Sequence, residues 1–406
     1  MRQLLKDEAI GGKLILIAAV LALIVANSPW RSIYSNLWDQ NLSIAVGGHG
    51  VSLNLRGWVS EGLMAIFFLV VGLEIKREII KGQLRHLGNA ILPIGAAIGG
   101  MIVPAVLFII INASQPGTLR GWAIPTATDI AFTLAVMSLL GSRVKSSLKL
   151  FLLTLAIVDD IGSVAVIALF YGTSITFIPI LTAVGIATTI IVLSRLRKMP
   201  MGLFVLLSIG FWVAVQKSGI NASIAGVFLG LMAPLQSRTR LSVAERLERS
   251  LIPVSTFLVV PLFAFASLGL VFNSQMFSNS GSLPLVWGIF AGFVIGKVIG
   301  VTLASWILVK LRLSRLPEGT FWFQIIGVGF LAGIGFTVSV LITDVTFGAS
   351  SSLAGAAKLS ILVSSIVSAV IGYILLRHRP PRRIVSFLSR KIIKPHQHPS
   401  LPQNNR

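Results

Sequence analysis

The chain has 406 residues, no cysteine and a formal net charge of +21. Only 12% of its residues are charged and 55% are hydrophobic, whereas a soluble domain carries about 25% charged residues. This composition excludes an ordinary soluble domain, disulfides, thiol catalysis and cysteine-ligated metals. The positive charges sit in short loops between apolar runs and form no continuous basic face, so they point to membrane topology and anionic lipid head groups rather than to nucleic acid.

In chain order, the apolar stretch after Lys13 lacks a small-residue cleavage site and reads as a first anchor, not a signal peptide. A spanning helix needs about 20 mostly apolar residues, and twelve such segments are predicted. They are 11–29, 57–80, 90–112, 119–140, 146–171, 174–195, 201–216, 219–234, 245–272, 286–309, 320–345 and 352–376. The seventh and eighth are short. Between the first two, residues 42–55 alternate around Gly47, Gly48 and Gly50, which predicts a surface β-hairpin with a plain loop as the alternative. Residues 1–376 form one predicted membrane domain, and 377–406 a basic tail.

Loop charges set the orientation. With the N-terminus inside, the inner loops hold Lys76, Arg77, Arg143, Lys145, Arg197, Lys198, Arg238, Arg240, Arg312 and Arg315, and the tail adds more. The outer loops hold little beyond Arg31, Arg56, Arg120 and Lys217. An even helix count with both ends cytoplasmic explains the asymmetry and places the hairpin on the periplasmic surface.

Of thirteen carboxylates, Asp7, Glu8, Asp39, Glu61, Glu74, Glu78, Glu245, Glu248, Glu318 and Asp344 fall near helix ends or loops and read as solvated. Asp129, Asp159 and Asp160 sit deep inside apolar runs. A charge at the bilayer centre costs at least ~2.5–3.5 kcal/mol, so such residues are kept where they pair or transport. Asp159 and Asp160 point about 100° apart on a helix and can face one water-filled cavity. Together they offer four oxygens, which suits a hard cation. Two close carboxylates disfavour double ionisation, so one is expected to hold a proton at working pH. A site that takes either protons or a cation is the minimal device for exchange. Lys297 reads as the one basic residue in mid-membrane and as the counter-ion of Asp159. It adjoins Gly288, Gly292, Gly296 and Gly300, a small-residue stripe that permits close helix packing. No histidine of the five (His49, His86, His378, His396, His398) lies in a long apolar segment, which argues against a buried His-metal centre.

Two helices read as interrupted. One carries Ala123-Ile-Pro-Thr-Ala-Thr-Asp129, where Pro125 removes a backbone donor and Thr126, Thr128 and Asp129 offer polar partners. The other carries Gly327, Gly329, Gly333 and Gly335. Unwound backbone at membrane depth survives only against protein or a cavity, and Asp129 is placed to balance the positive N-termini of facing half-helices. The interruptions fall in the fourth and eleventh helices, within triplets at about 90–171 and 286–376 of opposite topology. That is the inverted-repeat pattern of secondary transporters. No Gly-Lys-Ser/Thr phosphate cradle is present, which argues against ATP as the driver.

Five segments together resemble the NhaA family of bacterial sodium/proton antiporters: Phe68-Leu-Val-Val-Gly-Leu-Glu-Ile-Lys-Arg-Glu78, Thr126-Ala-Thr-Asp-Ile-Ala-Phe132, Val158-Asp-Asp-Ile161, Gly296-Lys297 and Gly333-Ile-Gly-Phe-Thr337. That family is itself one of the standard examples of the inverted-repeat pattern. The resemblance implies an all-α inner-membrane protein, not an enzyme and without cofactor, that exports Na+ and Li+ in exchange for H+ with net charge movement. It implies regulation of intracellular pH and sodium, and a homodimer. Asp159 and Asp160 would ligate the transported Na+, Lys297 would pair with Asp159, and Thr128 and Asp129 would support the crossing. Glu74 and Glu248 would serve the pH response. This chain departs from better-known members at Asn221, Arg249 and Ile252, where those carry histidines. Histidine titrates near neutral pH, so the family's pH threshold is not carried over. A sodium-coupled symporter of an organic solute on the same fold is the rival within transport. An intramembrane aspartyl protease is the rival from another class, but its two aspartates come from separate helices and it has no use for the lysine.

Overall fold

A computed structural model describes residues 2–377 apart from 47–48, 86, 173–175, 197–198, 236–241, 272–281 and 350. The basic tail beyond Arg377, Gly47 and Gly48 of the hairpin, and the loop charges Arg197, Lys198, Arg238 and Arg240 lie outside the described residues. The chain is mostly helical. Among the described residues, seven helices are long and apolar enough to cross a membrane, or up to ten if each of three bent pairs is one span. Many of their outward side chains are large and apolar, Ile110, Leu169 and Leu206 among them, as lipid contact requires.

The first helix, α1 (Arg2–Ala26), ends where Pro29 removes a donor, and the chain turns by 113° into α2 (Arg31–Asp39). The predicted continuation to residue 29 is therefore cut short. Helix α2 buries Tyr34 and Trp38, which pack edge-on against Phe265. The hairpin forms as β1 (Asn41–Val46) and β2 (His49–Asn54), antiparallel, with Asn41 opposite Asn54 and Val46 opposite His49. Trp58 Nε1 donates to the Leu42 carbonyl at 2.8 Å and ties the hairpin to α3 (Leu55–Lys81).

Next come α4 (Leu87–Asn112), the bent pair α5 (Pro116–Thr126) and α6 (Ile130–Leu139), then α7 (Ser146–Phe170), α8 (Phe177–Arg195) and α9 (Met201–Lys217). Helix α10 (Ile224–Met232) has nine residues, about 14 Å at 1.5 Å per residue, and so does not fill the predicted 219–234. It is held by close backbone approach instead. A Cβ at Gly226 would lie 2.0 Å from the Ala65 carbonyl of α3, so only glycine fits there. The remaining elements are α11 (Val243–Ser267), α12 (Ser282–Lys310), the bent pair α13 (Trp322–Ala332) and α14 (Phe336–Phe347), and α15 (Ser352–Arg377).

The glycine stripe of α12 faces α4. A Cβ at Gly300 would meet the Gly99 carbonyl at 2.1 Å, and one at Gly296 would meet Pro104 Cα at 2.8 Å. Along the same stripe the helix loosens into a π-turn, Gly292–Gly296, directly before Lys297. Such single turns re-aim the side chains that follow and are frequent at functional sites.

Candidate functional site

The site is built where two helices lose their backbone ladder. Helix α5 ends at Thr126 because Pro125 cannot donate, and Ala127 and Asp129 are extended. Opposite, α13 stops at Ala332 and α14 resumes at Phe336. Each interruption exposes carbonyls on one side and N–H groups on the other, which must find partners away from water. They find them in each other. The Asp129 amide donates to the Ile334 carbonyl at 2.6 Å. Thr133 Oγ1 donates to the Leu331 carbonyl, and Ser339 Oγ returns the contact to the Ile124 carbonyl.

Asp129 serves both helix starts. Its Oδ1 accepts from the Phe132 amide at the head of α6, and its Oδ2 accepts from the Thr337 amide and hydroxyl, at 3.0 and 2.6 Å, at the head of α14. One carboxylate thus caps two positive helix ends, which is why a buried charge is tolerated there.

Asp159 and Asp160 project from the middle of α7 and are 0% and 3% exposed. The fully buried Lys297 ammonium donates to Asp159 Oδ2 and, at 3.0 Å, to Thr128 Oγ1. Thr128 Oγ1 is within reach of Asp159 Oδ2 and, at 2.7 Å, of the Ala332 carbonyl. It has one hydrogen, so it serves the carboxylate or the carbonyl, and thereby links the charge state of Asp159 to the end of α13. Asp159 Oδ1 and Asp160 Oδ1 are buried without hydrogen-bond partners among the described residues. The structure therefore gathers Thr128, Asp129, Asp159, Asp160 and Lys297, which are spread over 170 positions of sequence, around one crossing. Its chemistry is that of a cation or proton held by carboxylate oxygens with one fixed positive charge beside them.

Glu74 lies on α3 and Glu248 on α11. Arg77 pairs with Glu248, and Lys76 reaches the Ala233 carbonyl at 2.5 Å. Glu74 lies within electrostatic range of Arg77 and Glu248 and also of Asp160. Its charge is thus coupled both to that ion pair and to Asp160.

Two expectations are corrected. Lys297 is not the one buried lysine, and Asp344 is not solvated. Lys358 of α15 is 1% exposed, and its Nζ lies 2.5 Å from Oδ1 of Asp344, whose side chain is 8% exposed. Both residues come near helix ends in sequence, and only the packing of α14 on α15 encloses them. A signal was present: Lys358 follows Ala354-Gly-Ala-Ala357, the same small-residue setting as Gly296-Lys297. Asp344 also lines a polar cavity of about 480 Å³ with Glu61, Asn221, Gln216 and Tyr171. Lys358→Met is expected to lower the melting temperature in detergent, because an orphaned buried carboxylate costs ~3–5 kcal/mol. Adding Asp344→Asn should restore most of the loss, and an additive double mutant would show that the two charges do not depend on each other.

Paired acids with a lysine buried beside them and two interrupted helices whose ends satisfy one another define a secondary ion transporter. The chain belongs to the family described as Na+/H+ antiporter 1, whose sequence model matches residues 2–376. It is 46% identical over 379 residues to the Na(+)/H(+) antiporter NhaA of Tolumonas auensis, covering 93% of this chain and 95% of that one. Proteins of the same name from Pseudomonas putida and Escherichia coli are each 45% identical, over 90% and 93% of this chain and 94% and 98% of theirs.

Proposed function

We propose that the chain is an inner-membrane antiporter that exports sodium, and lithium, in exchange for protons, and so regulates intracellular pH and sodium. The observation that carries this reading is the buried Asp159–Asp160 pair, with free oxygens on both residues and Lys297 beside them. Sodium and protons compete for the same oxygens, so loading one expels the other and coupling needs no separate relay. Lys297 holds a positive charge against Asp159 while sodium is absent. Net charge moves in each cycle, and the membrane potential drives sodium outward. A sodium-coupled solute symporter is not favoured, because relatives matching nearly the whole chain are named as antiporters.

In this reading α9 and α10 complete a set of twelve membrane segments, and the bent pairs α5–α6 and α13–α14 are the fourth and eleventh. The triplets 90–171 and 286–376 are inverted repeats within a membrane domain of residues 1–376. Both termini and the basic tail are cytoplasmic. Glu74 and Glu248 tune the response to pH from that side. The decisive experiment uses the purified full chain in vesicles loaded with a pH-sensitive dye. Added sodium should move protons, and vesicles with no sodium-dependent signal at any pH would refute antiport.

The hairpin is the proposed dimer contact, since a two-stranded sheet leaves free edges that pair well with a copy of themselves. Each protomer carries its own acids, lysine and crossing. Deleting residues 44–52 should therefore give monomers by mass measurement in mild detergent that still exchange ions. A dimer surviving the deletion would rule the hairpin out as the main contact, and inactive but well-folded monomers would contradict one independent site per protomer.

A further inference from the structure

One buried hydroxyl beside the aspartates has no place in the exchange reading. Ser163 of α7 is fully buried, and its Oγ has no hydrogen-bond partner among the described residues. A serine inside a helix commonly gives its hydrogen to the carbonyl four residues back. Ser208, Ser305 and Ser364 do so here, to Phe204, Val301 and Ser360. Ser163 leaves the Asp159 carbonyl alone. Other buried hydroxyls also lack partners, Ser267, Ser282 and Ser365 among them, but Ser163 is on the aspartates' own helix and within one turn of both.

Its angular position is specific. At 3.6 residues per turn, Ser163 projects about 40° from Asp159 and about 60° from Asp160, between the two. Cα–Cβ bonds lean toward the helix N-terminus, which carries its Cβ back toward the two aspartates, with Cβ atoms about 5–6 Å apart. Asp159 Oδ1, Asp160 Oδ1 and Ser163 Oγ are then three buried, unpartnered oxygens on one face of one helix. Three oxygens left without donors suit a hard cation, which takes oxygen ligands.

We propose that Ser163 Oγ is a third ligand of the transported cation, beside Asp159 and Asp160. This rests on the antiport reading above. A hydroxyl binds sodium through a lone pair but takes up no proton at neutral pH. Ser163 therefore strengthens sodium binding without strengthening proton binding, and sets the balance between the two competitors.

The test is sodium-driven proton movement in vesicles over a range of sodium concentrations, with wild type, Ser163→Ala, Ser163→Cys and Ser163→Thr. Cysteine keeps the size but offers a soft sulfur, so it guards against a cavity or folding defect in the alanine variant. Ala and Cys are expected to raise half-saturating sodium about tenfold, the size of one charge-assisted contact. Maximal rate and melting temperature should stay near wild type, and Thr should keep the wild-type sodium dependence. Unchanged half-saturation in a folded Ala or Cys variant would overturn the proposal. So would a fall in rate and melting temperature without a change in half-saturation, or a Thr variant as weak as Ala. A wild-type protein that moves no protons in response to sodium would overturn antiport itself, and this ligand with it.

Discussion

Asp160→Asn is expected to abolish sodium-driven proton movement while leaving the protein folded and inserted. Asparagine keeps the size and one oxygen acceptor of aspartate but can neither release a proton nor carry a negative charge. Whereas Asp159 pairs with Lys297, Asp160 is 3% exposed and makes no ion pair among the described residues. Its charge is thus answered by whatever ion or proton it holds, and the exchange cycle loses its exchangeable position when that charge is removed. Folding should not suffer, because a neutral amide is easier to bury than a carboxylate without a partner. Dye-loaded vesicles give the rate, and a detergent melting curve gives the fold. Wild-type exchange in the variant would refute the assignment of Asp160.

Lys297→Ala is expected to cost both stability and exchange. The ammonium is fully buried between Asp159 and Thr128, so its removal strands a charge in a dry site and opens space beside the glycine stripe. Breaking a buried pair typically costs ~3–5 kcal/mol, which in a detergent melt is a plain downward shift. Lys297→Ala with Asp159→Asn should recover part of it, since the stranded charge is then gone. A single variant that melts with the wild type would sink the pairing, whatever its activity.

The charges of the crossing were legible because the bilayer makes them expensive. Asp129, the adjacent Asp159 and Asp160, and Lys297 interrupt otherwise apolar sequence, and Pro125 and the glycines at 333 and 335 mark the helix breaks by their own backbone chemistry. Lys358 and Asp344 were far less legible, the small residues before Lys358 being the one hint. Each comes within a few residues of a helix end, where a solvated side chain costs nothing, and only the packing of α15 on α14 makes them a buried pair. The shortness of α10 was legible in part. Its run reads as short in sequence, and the helix is shorter still, with Gly226 and Gly230 holding it against the backbone of α3. Ser163 carries no sequence signal except its register with the aspartates, and becomes visible once its hydroxyl is found without a partner.

The double cap made by Asp129 sets an order on biogenesis. Its second partner, Thr337, follows 208 positions later, so the first interrupted helix leaves the ribosome long before the groups that complete it exist. Until then its open amides and carbonyls need water or the insertion machinery. The contacts of Asp129 are therefore complete only once α14 has been made. A chain halted before Trp322 has neither the Ile334 carbonyl nor Thr337, and so lacks the groups that close the break at Asp129.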